Sequence, residues 1–147
     1  AYDPFSSKEQ MEAEGVHFIA TQAELFATCD IVSMHIPATP ETKGSIGKAL
    51  VGSMPKKAIL VNTARKEIIN EAELLEVLKE REDLRYFTDI QPACHAEMVE
   101  ALGERYFATP KKMGAQTSEA NTNAGLAAAR QIVDFIKEGN ERFRLNK

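Results

Sequence analysis

The 147 residues contain two cysteines, no tryptophan and no glycine-rich run. Cys29 and Cys94 lack CxxC spacing, and no histidine pair stands beside them at zinc-site intervals, so neither a disulfide framework nor a structural zinc site is expected. His95 follows Cys94 directly, but adjacent residues on a helix or strand point in different directions, which argues against a Cys–His dyad there. No run approaches the ~18 apolar residues of a membrane helix, and no signal-like segment opens the chain. The default expectation is therefore a cytoplasmic protein without a membrane partner. The net charge of −4 is spread along the sequence without a basic block, which argues against nucleic acid as a partner. The eight glycines are scattered, and none form the GxGxxG loop that seats a pyrophosphate on a helix N-terminus. An initiator methionine is also missing. The opening Ala1-Tyr2-Asp3-Pro4-Phe5 reads as the end of a strand, so an upstream segment is expected to be absent.

What is present fits one soluble globular domain: 44% hydrophobic and 27% charged residues. Short β-type runs alternate with helical ones. Strands are expected at Val16–Ile19, Ile31–Ile36, Ala58–Asn62, Arg85–Ile90 and Tyr106–Ala108. Ala58–Asn62 is continuous and apolar, as a parallel strand covered on both faces would be. Helices are expected at Gln22–Thr28, Ile46–Met54, Glu71–Arg81 (with Asn70 as N-cap), Glu97–Gly103, and from an N-cap at Ser118 to about Glu138, with Gly139 as its stop. Strands alternating with helices give an α/β fold with a doubly wound, mostly parallel sheet.

Ligands of such sheets bind beyond the carboxyl ends of the strands. The residues there are Asp3, His35 to Pro37, Asn62 to Arg65, Asp89, and Thr109 to Lys112. Asp3 reads equally as an acceptor for ribose hydroxyls or as a turn residue. Arg65 can grip a carboxylate with its planar fork or lie solvated on the surface. His35 reads as a structural histidine bonded to backbone, or as part of a site. A lysine such as Lys112 serves as general acid or base only where burial or a neighbouring cation lowers its pKa.

These residues resemble one family. His-x-Pro-x-Thr-Pro-Glu-Thr at 35–42, Ala58-Ile59-Leu60-Val61-Asn62-Thr63-Ala64-Arg65, Thr88-Asp89-Ile90, and the segment from Thr109-Pro110 to Gly114-Ala115 are similar to motifs of the D-2-hydroxyacid dehydrogenases. The resemblance runs over essentially the whole chain. It implies the C-terminal portion of a Rossmann-like NAD-binding domain, incomplete at its N-terminus, with a tail at about 140–147 packing on a missing substrate domain. It implies NAD as cofactor, a small 2-hydroxy or 2-oxo acid as substrate, and a homodimer at full length. It places His35, Pro37, Thr63 and Ala64 along the cofactor, Asp3 at the adenine ribose, and Asp89 near the nicotinamide. Arg65 would lie beside the cofactor and bind the substrate's carboxylate and keto oxygen, and Lys112, Met113, Gly114 and Ala115 would close the nicotinamide side.

The sequence departs from the family twice. Lys112 stands where the catalytic histidine is expected, allowing one extra residue after Pro110. Its orienting glutamate is expected a few residues after Asp89, where Gln91-Pro92-Ala93-Cys94-His95 holds no carboxylate. The two losses are consistent with each other. An imidazole needs a partner to fix its tautomer, whereas an ammonium has three equivalent donors and no tautomer to fix. The pattern resembles a short, lysine-type subgroup of the family acting on 3-phosphoglycerate. A catalytically inactive NAD-binding regulator on the same fold, or a proteolytic remnant without activity of its own, are the alternatives.

Overall fold

The computed structural model describes residues 1–113 and 116–146. They fall into two compact units, 1–111 and the residues from Lys112 onward. The first unit runs α1 (Lys8–Ala13), α2 (Gln22–Thr28), β1 (Ile31–Met34), α3 (Lys48–Gly52), β2 (Ile59–Asn62), α4 (Glu71–Glu80), β3 (Arg85–Thr88), α5 (His95–Leu102) and β4 (Tyr106–Ala108). The second is built on α6 (Ser118–Glu138). All four strands pair in parallel in the order β1-β2-β3-β4. Parallel neighbours need a crossover between them, and α3, α4 and α5 fill the three crossovers.

Side chains alternate across a strand, and here every second residue is buried. Val32, Met34, Leu60, Tyr86 and Tyr106 share one core with Phe26 of α2, Val51 of α3, Leu74 and Leu78 of α4, and Met98 and Leu102 of α5. The opposite face is more open: Ile31 and Phe107 are exposed, and Ile59 and Val61 are half-buried. The two-sided cover expected for β2 is thus complete on one face only, because helices α2 to α5 contribute to a single core.

Local sequence explains most of the boundaries. The Asn70 side chain accepts the Glu73 N–H and starts α4, as expected of an N-cap. Thr21 does the same for α2. Gly103 ends α5 at φ +54°, a conformation that favours glycine. Helix α3 is shorter than expected, because Ile46 forms an isolated bridge with Ile69 instead of joining the helix.

Other expectations are corrected as well. Val16–Ile19 is not a strand, and Asp3 does not end one: the Ile19 N–H donates to the Ala1 carbonyl, the Ala1 amino group donates to the His17 carbonyl, and the pairing stops there. Apolar composition gave this run strand character, but a ladder needs a partner along its length. Helix α1 was not expected at all, although Ser7 and Gln10 form a reciprocal capping box at its start. The N-cap of α6 is Thr117, one residue before Ser118, and its hydroxyl accepts the Ala120 N–H.

In the second unit α6 ends at Gly139, whose φ of +65° turns the chain. Leu126, Ile132, Val133, Phe135 and Ile136 are exposed along the helix. An open hollow of about 700 Å³ lies between α6 and the following tail, lined by Ile132, Phe135, Ile136 and Phe143 among others. Among the described residues, no helix is long and apolar enough to cross a membrane.

Candidate active site

Register sets the geometry. Met34, Asn62, Thr88 and Ala108 lie side by side across the four strands. With strands ~4.8 Å apart, this row spans about 14 Å. The segments that follow it, from His35, Thr63, Asp89 and Thr109, therefore all leave the sheet at one edge. The ladder carries on past the strands: Asp89 N–H donates to the Asn62 carbonyl at 2.9 Å, and Thr109 N–H to the Thr88 carbonyl at 3.1 Å.

Among the described residues, the buried polar side chains are Asn62 and Thr88, both in this last row. Each turns its polar atoms onto the loop beyond its strand. Thr88 Oγ1 donates to the Ile90 carbonyl at 3.2 Å. Asn62 uses both ends of its amide: Nδ2 donates to the Arg65 carbonyl at 2.9 Å, and Oδ1 accepts the Ala64 N–H at 3.0 Å. Arg65 itself is exposed, and its Nη1 donates to the Ala64 carbonyl at 2.8 Å. Asp89 is half-buried, and the Thr109 hydroxyl donates to its Oδ1 at 3.0 Å.

On β1, His35 is exposed and its Nε2 pairs with Ser33 Oγ at 2.9 Å, a side-chain partner instead of the backbone one expected. The Pro37 carbonyl accepts the Thr42 hydroxyl, which fixes the loop after β1. Thr63 is exposed and Ala64 half-buried. Asp3 lies in an exposed turn, where its carboxylate accepts the Phe5 N–H at 2.8 Å and the Ser6 hydroxyl at 3.2 Å. Lys112 is half-buried and Met113 largely exposed, both in the second unit. Gly114 and Ala115 lie outside the described residues.

Where the family's orienting glutamate is expected, the polar side chains have other work. His95 Nδ1 pairs with the Tyr106 hydroxyl at 2.9 Å, and its Nε2 with Gln91 Nε2 at 3.2 Å. Burial, with the Glu71 carboxylate adding to it, pushes the Cys94 thiol up to about 11. A thiol with so raised a pKa is a poor nucleophile at neutral pH. Cys94 and His95 thus act in the start of α5, not as a dyad. Among the described residues no group of three or more His, Cys, Asp or Glu side chains could hold a metal.

The chemistry offered at the edge is a half-buried carboxylate beside a hydroxyl, an exposed loop with two backbone-fixed residues, and one guanidinium. A carboxylate acceptor at Asp89 suits the N–H of a carboxamide, and a guanidinium suits a carboxylate. The donor set fits the nicotinamide half of a dinucleotide with an anionic substrate next to it. Sequence reasoning placed Asn62 and Thr109 at this edge but missed what they hold there: the Ala64–Arg65 backbone and the Asp89 carboxylate. Their only signal was polarity at the last position of an apolar strand and directly after one.

Comparison with known proteins decides the family. The D-isomer specific 2-hydroxyacid dehydrogenase, NAD binding domain, matches residues 1–106. The chain belongs to this family. Curated relatives include the D-3-phosphoglycerate dehydrogenases of Methanocaldococcus jannaschii, 35% identical over 92% of this chain and 26% of that protein, and of Archaeoglobus fulgidus, 36% identical over 93% and 26%. The NAD+-bound 3-phosphoglycerate dehydrogenase of Entamoeba histolytica is 44% identical, superposes with a TM-score of 0.83, and is covered over 46% of its length by 99% of this chain. The chain thus spans about a quarter of the length of these curated relatives. Within the D-2-hydroxyacid dehydrogenases it carries NAD-binding sequence and a Rossmann-like parallel sheet, and the strand-end edge is where such a sheet takes its dinucleotide.

Proposed function

We propose that this chain forms the cofactor-binding part of an NAD-dependent enzyme that interconverts 3-phosphoglycerate and phosphohydroxypyruvate, a reaction feeding serine biosynthesis. The 44% identity to the NAD+-bound 3-phosphoglycerate dehydrogenase over nearly the whole chain carries this reading. When bound, the nicotinamide supplies hydride chemistry at the substrate's C2.

The chain's own residues would do the rest. His35, Pro37, Thr63 and Ala64 would line the cofactor, with Asp89 accepting from the carboxamide. Asp3 would hold the adenine ribose, its carboxylate already oriented by the Phe5 N–H and the Ser6 hydroxyl. Gly114 and Ala115 would close the nicotinamide side. Arg65 would bind the substrate carboxylate and keto oxygen. Lys112 would deliver the proton to the alkoxide oxygen, standing in the sequence where the family has a histidine. The tail beyond Gly139, with Leu145 fully exposed, would pack on a substrate domain, and the whole protein would work as a homodimer in the cytoplasm.

The test is NADH oxidation with phosphohydroxypyruvate by the product of the complete reading frame. Turnover that falls by at least ~100-fold in Lys112→Ala, with NADH affinity unchanged, supports the proposal. NADH binding without turnover on phosphohydroxypyruvate or other 2-oxo acids would instead establish a non-catalytic NAD-binding protein.

A further inference from the structure

We infer that Asn62 is a positioning residue for Arg65: its buried amide fastens the loop that presents the guanidinium at the strand-end edge. The inference rests on the substrate role proposed for Arg65.

Asn62 ends β2 on the buried face, aligned with Met34 on one side and Thr88 on the other. An amide in that position loses its water, which costs free energy unless both ends find partners. Both partners belong to the three residues that follow. The Ala64 N–H donates to Oδ1, the pattern of an Asx turn, and Nδ2 donates to the Arg65 carbonyl. No buried side-chain nitrogen or oxygen among the described residues is left without a partner. The side chain therefore pins the backbone on both sides of the Ala64–Arg65 peptide. Arg65 then takes an extended conformation, φ −143° and ψ 141°, at the start of a short 3-10 turn, Lys66–Ile68. With its backbone fixed from below, the long side chain has less freedom to lose when it grips an anion.

The residue type is specific. A leucine of similar size leaves the Ala64 N–H and the Arg65 carbonyl unmet. An aspartate sets a second oxygen against the Arg65 carbonyl, where no donor remains, and the repulsion between the two oxygens pushes the loop away and opens the Ala64 bond with it. Glutamine carries the same groups one methylene too far. Only asparagine puts a donor and an acceptor at this reach from the strand's last position.

The experiment compares Asn62→Asp and Asn62→Ser with Arg65→Ala and the double variant Asn62→Asp/Arg65→Ala. Hydrogen exchange at the Ala64 amide, referenced to Leu60 in the core, reads the loop directly and needs no turnover. The KM for phosphohydroxypyruvate and the Kd for NADH read the consequence. Asn62→Asp is expected to speed Ala64 exchange by at least tenfold while Leu60 stays protected. It raises the KM about tenfold with NADH affinity within twofold, and Asn62→Ser falls between. In the Arg65→Ala background Asn62→Asp adds less than twofold, because there is no guanidinium left to place. Ordinary Ala64 protection in Asn62→Asp, or a KM effect of the same size with and without Arg65, overturns the inference. Absence of turnover in the unmodified protein would remove the proposed reaction, and the Ala64 exchange alone would then decide the role of Asn62.

Discussion

Replacing Arg81 by methionine removes a clasp at the end of the sheet opposite the candidate site. Arg81 forms a bidentate pair with Asp83, at 2.8 and 2.9 Å, and its Nη atoms also donate to the carbonyls of Gly52, Met54 and Pro55. The Asp83 carboxylate in turn accepts the Lys57 N–H at 2.8 Å. Lys57 sits at φ +63°, where a side-chain-bearing residue is disfavoured, so this bond holds a strained turn into β2. The paired side chains are 27% and 31% exposed, which places the pair between surface and interior. Hydrogen bonds to charged groups contribute ~1.5–3 kcal/mol each net, and removing one partner of a fully buried pair costs ~3–5 kcal/mol. Partial exposure brings the expectation to about 3 kcal/mol, or a fall of about 10 °C in Tm. Urea unfolding followed by circular dichroism checks it, with a midpoint lower by about 2 M. Arg81→Lys keeps the charge but not the fork, and is expected to recover less than half of the loss. The effect also has a pH signature. The Arg81 fork, aided by the Lys57 N–H, holds the Asp83 carboxyl well below the usual carboxylate range. A depressed folded pKa gives stability that is present above the unfolded value of about 4 and lost as pH falls below it. The gap between wild type and Arg81→Met therefore narrows in acid. A variant within 1 kcal/mol of wild type at pH 7, in the sense of about a fivefold change in equilibrium, or a gap independent of pH, refutes this account of the clasp.

Two further predictions concern the neighbourhood of the site. Thr109→Val deletes the hydroxyl that donates to Asp89, and NADH affinity measured by fluorescence titration should fall about three- to tenfold; Thr109→Ser should restore it, and an unchanged Kd in the valine variant means that Asp89 is placed by other contacts. In a Cys29→Ser background, the rate of Cys94 alkylation by iodoacetamide should climb with pH towards a midpoint at about 11, and Glu71→Gln should lower that midpoint; a midpoint near ~8.5 would show an ordinary thiol.

How much of this was legible in the sequence depended on how local the cause is. Asn70 and the Leu74-Leu75-Leu78 pattern marked α4 to within a residue, because a cap and an apolar stripe are both written in neighbouring positions. The four sheet strands were placed because short apolar runs between helices have few other uses in an α/β fold. Val16–Ile19 had the same look, and failed because strand formation is decided by a partner elsewhere in the chain. The edge residues His35, Thr63, Asp89 and Thr109 followed from strand order alone once the sheet was parallel. What those side chains bond to did not. His35 turns to Ser33, His95 to Tyr106, and Asn62 back onto its own loop, and none of these choices has a sequence period.

The central claim is that the dinucleotide binds across the C-terminal edge of the parallel sheet. Titrating NADH into 15N-labelled protein and following the backbone amides tests it without any need for catalysis. The account predicts shifts concentrated at His35, Thr63 to Arg65, Asp89 and Thr109, with Lys57, Arg81 and Asp83 at the far end unmoved. Shifts centred on that far end, or spread evenly over the chain, would contradict it.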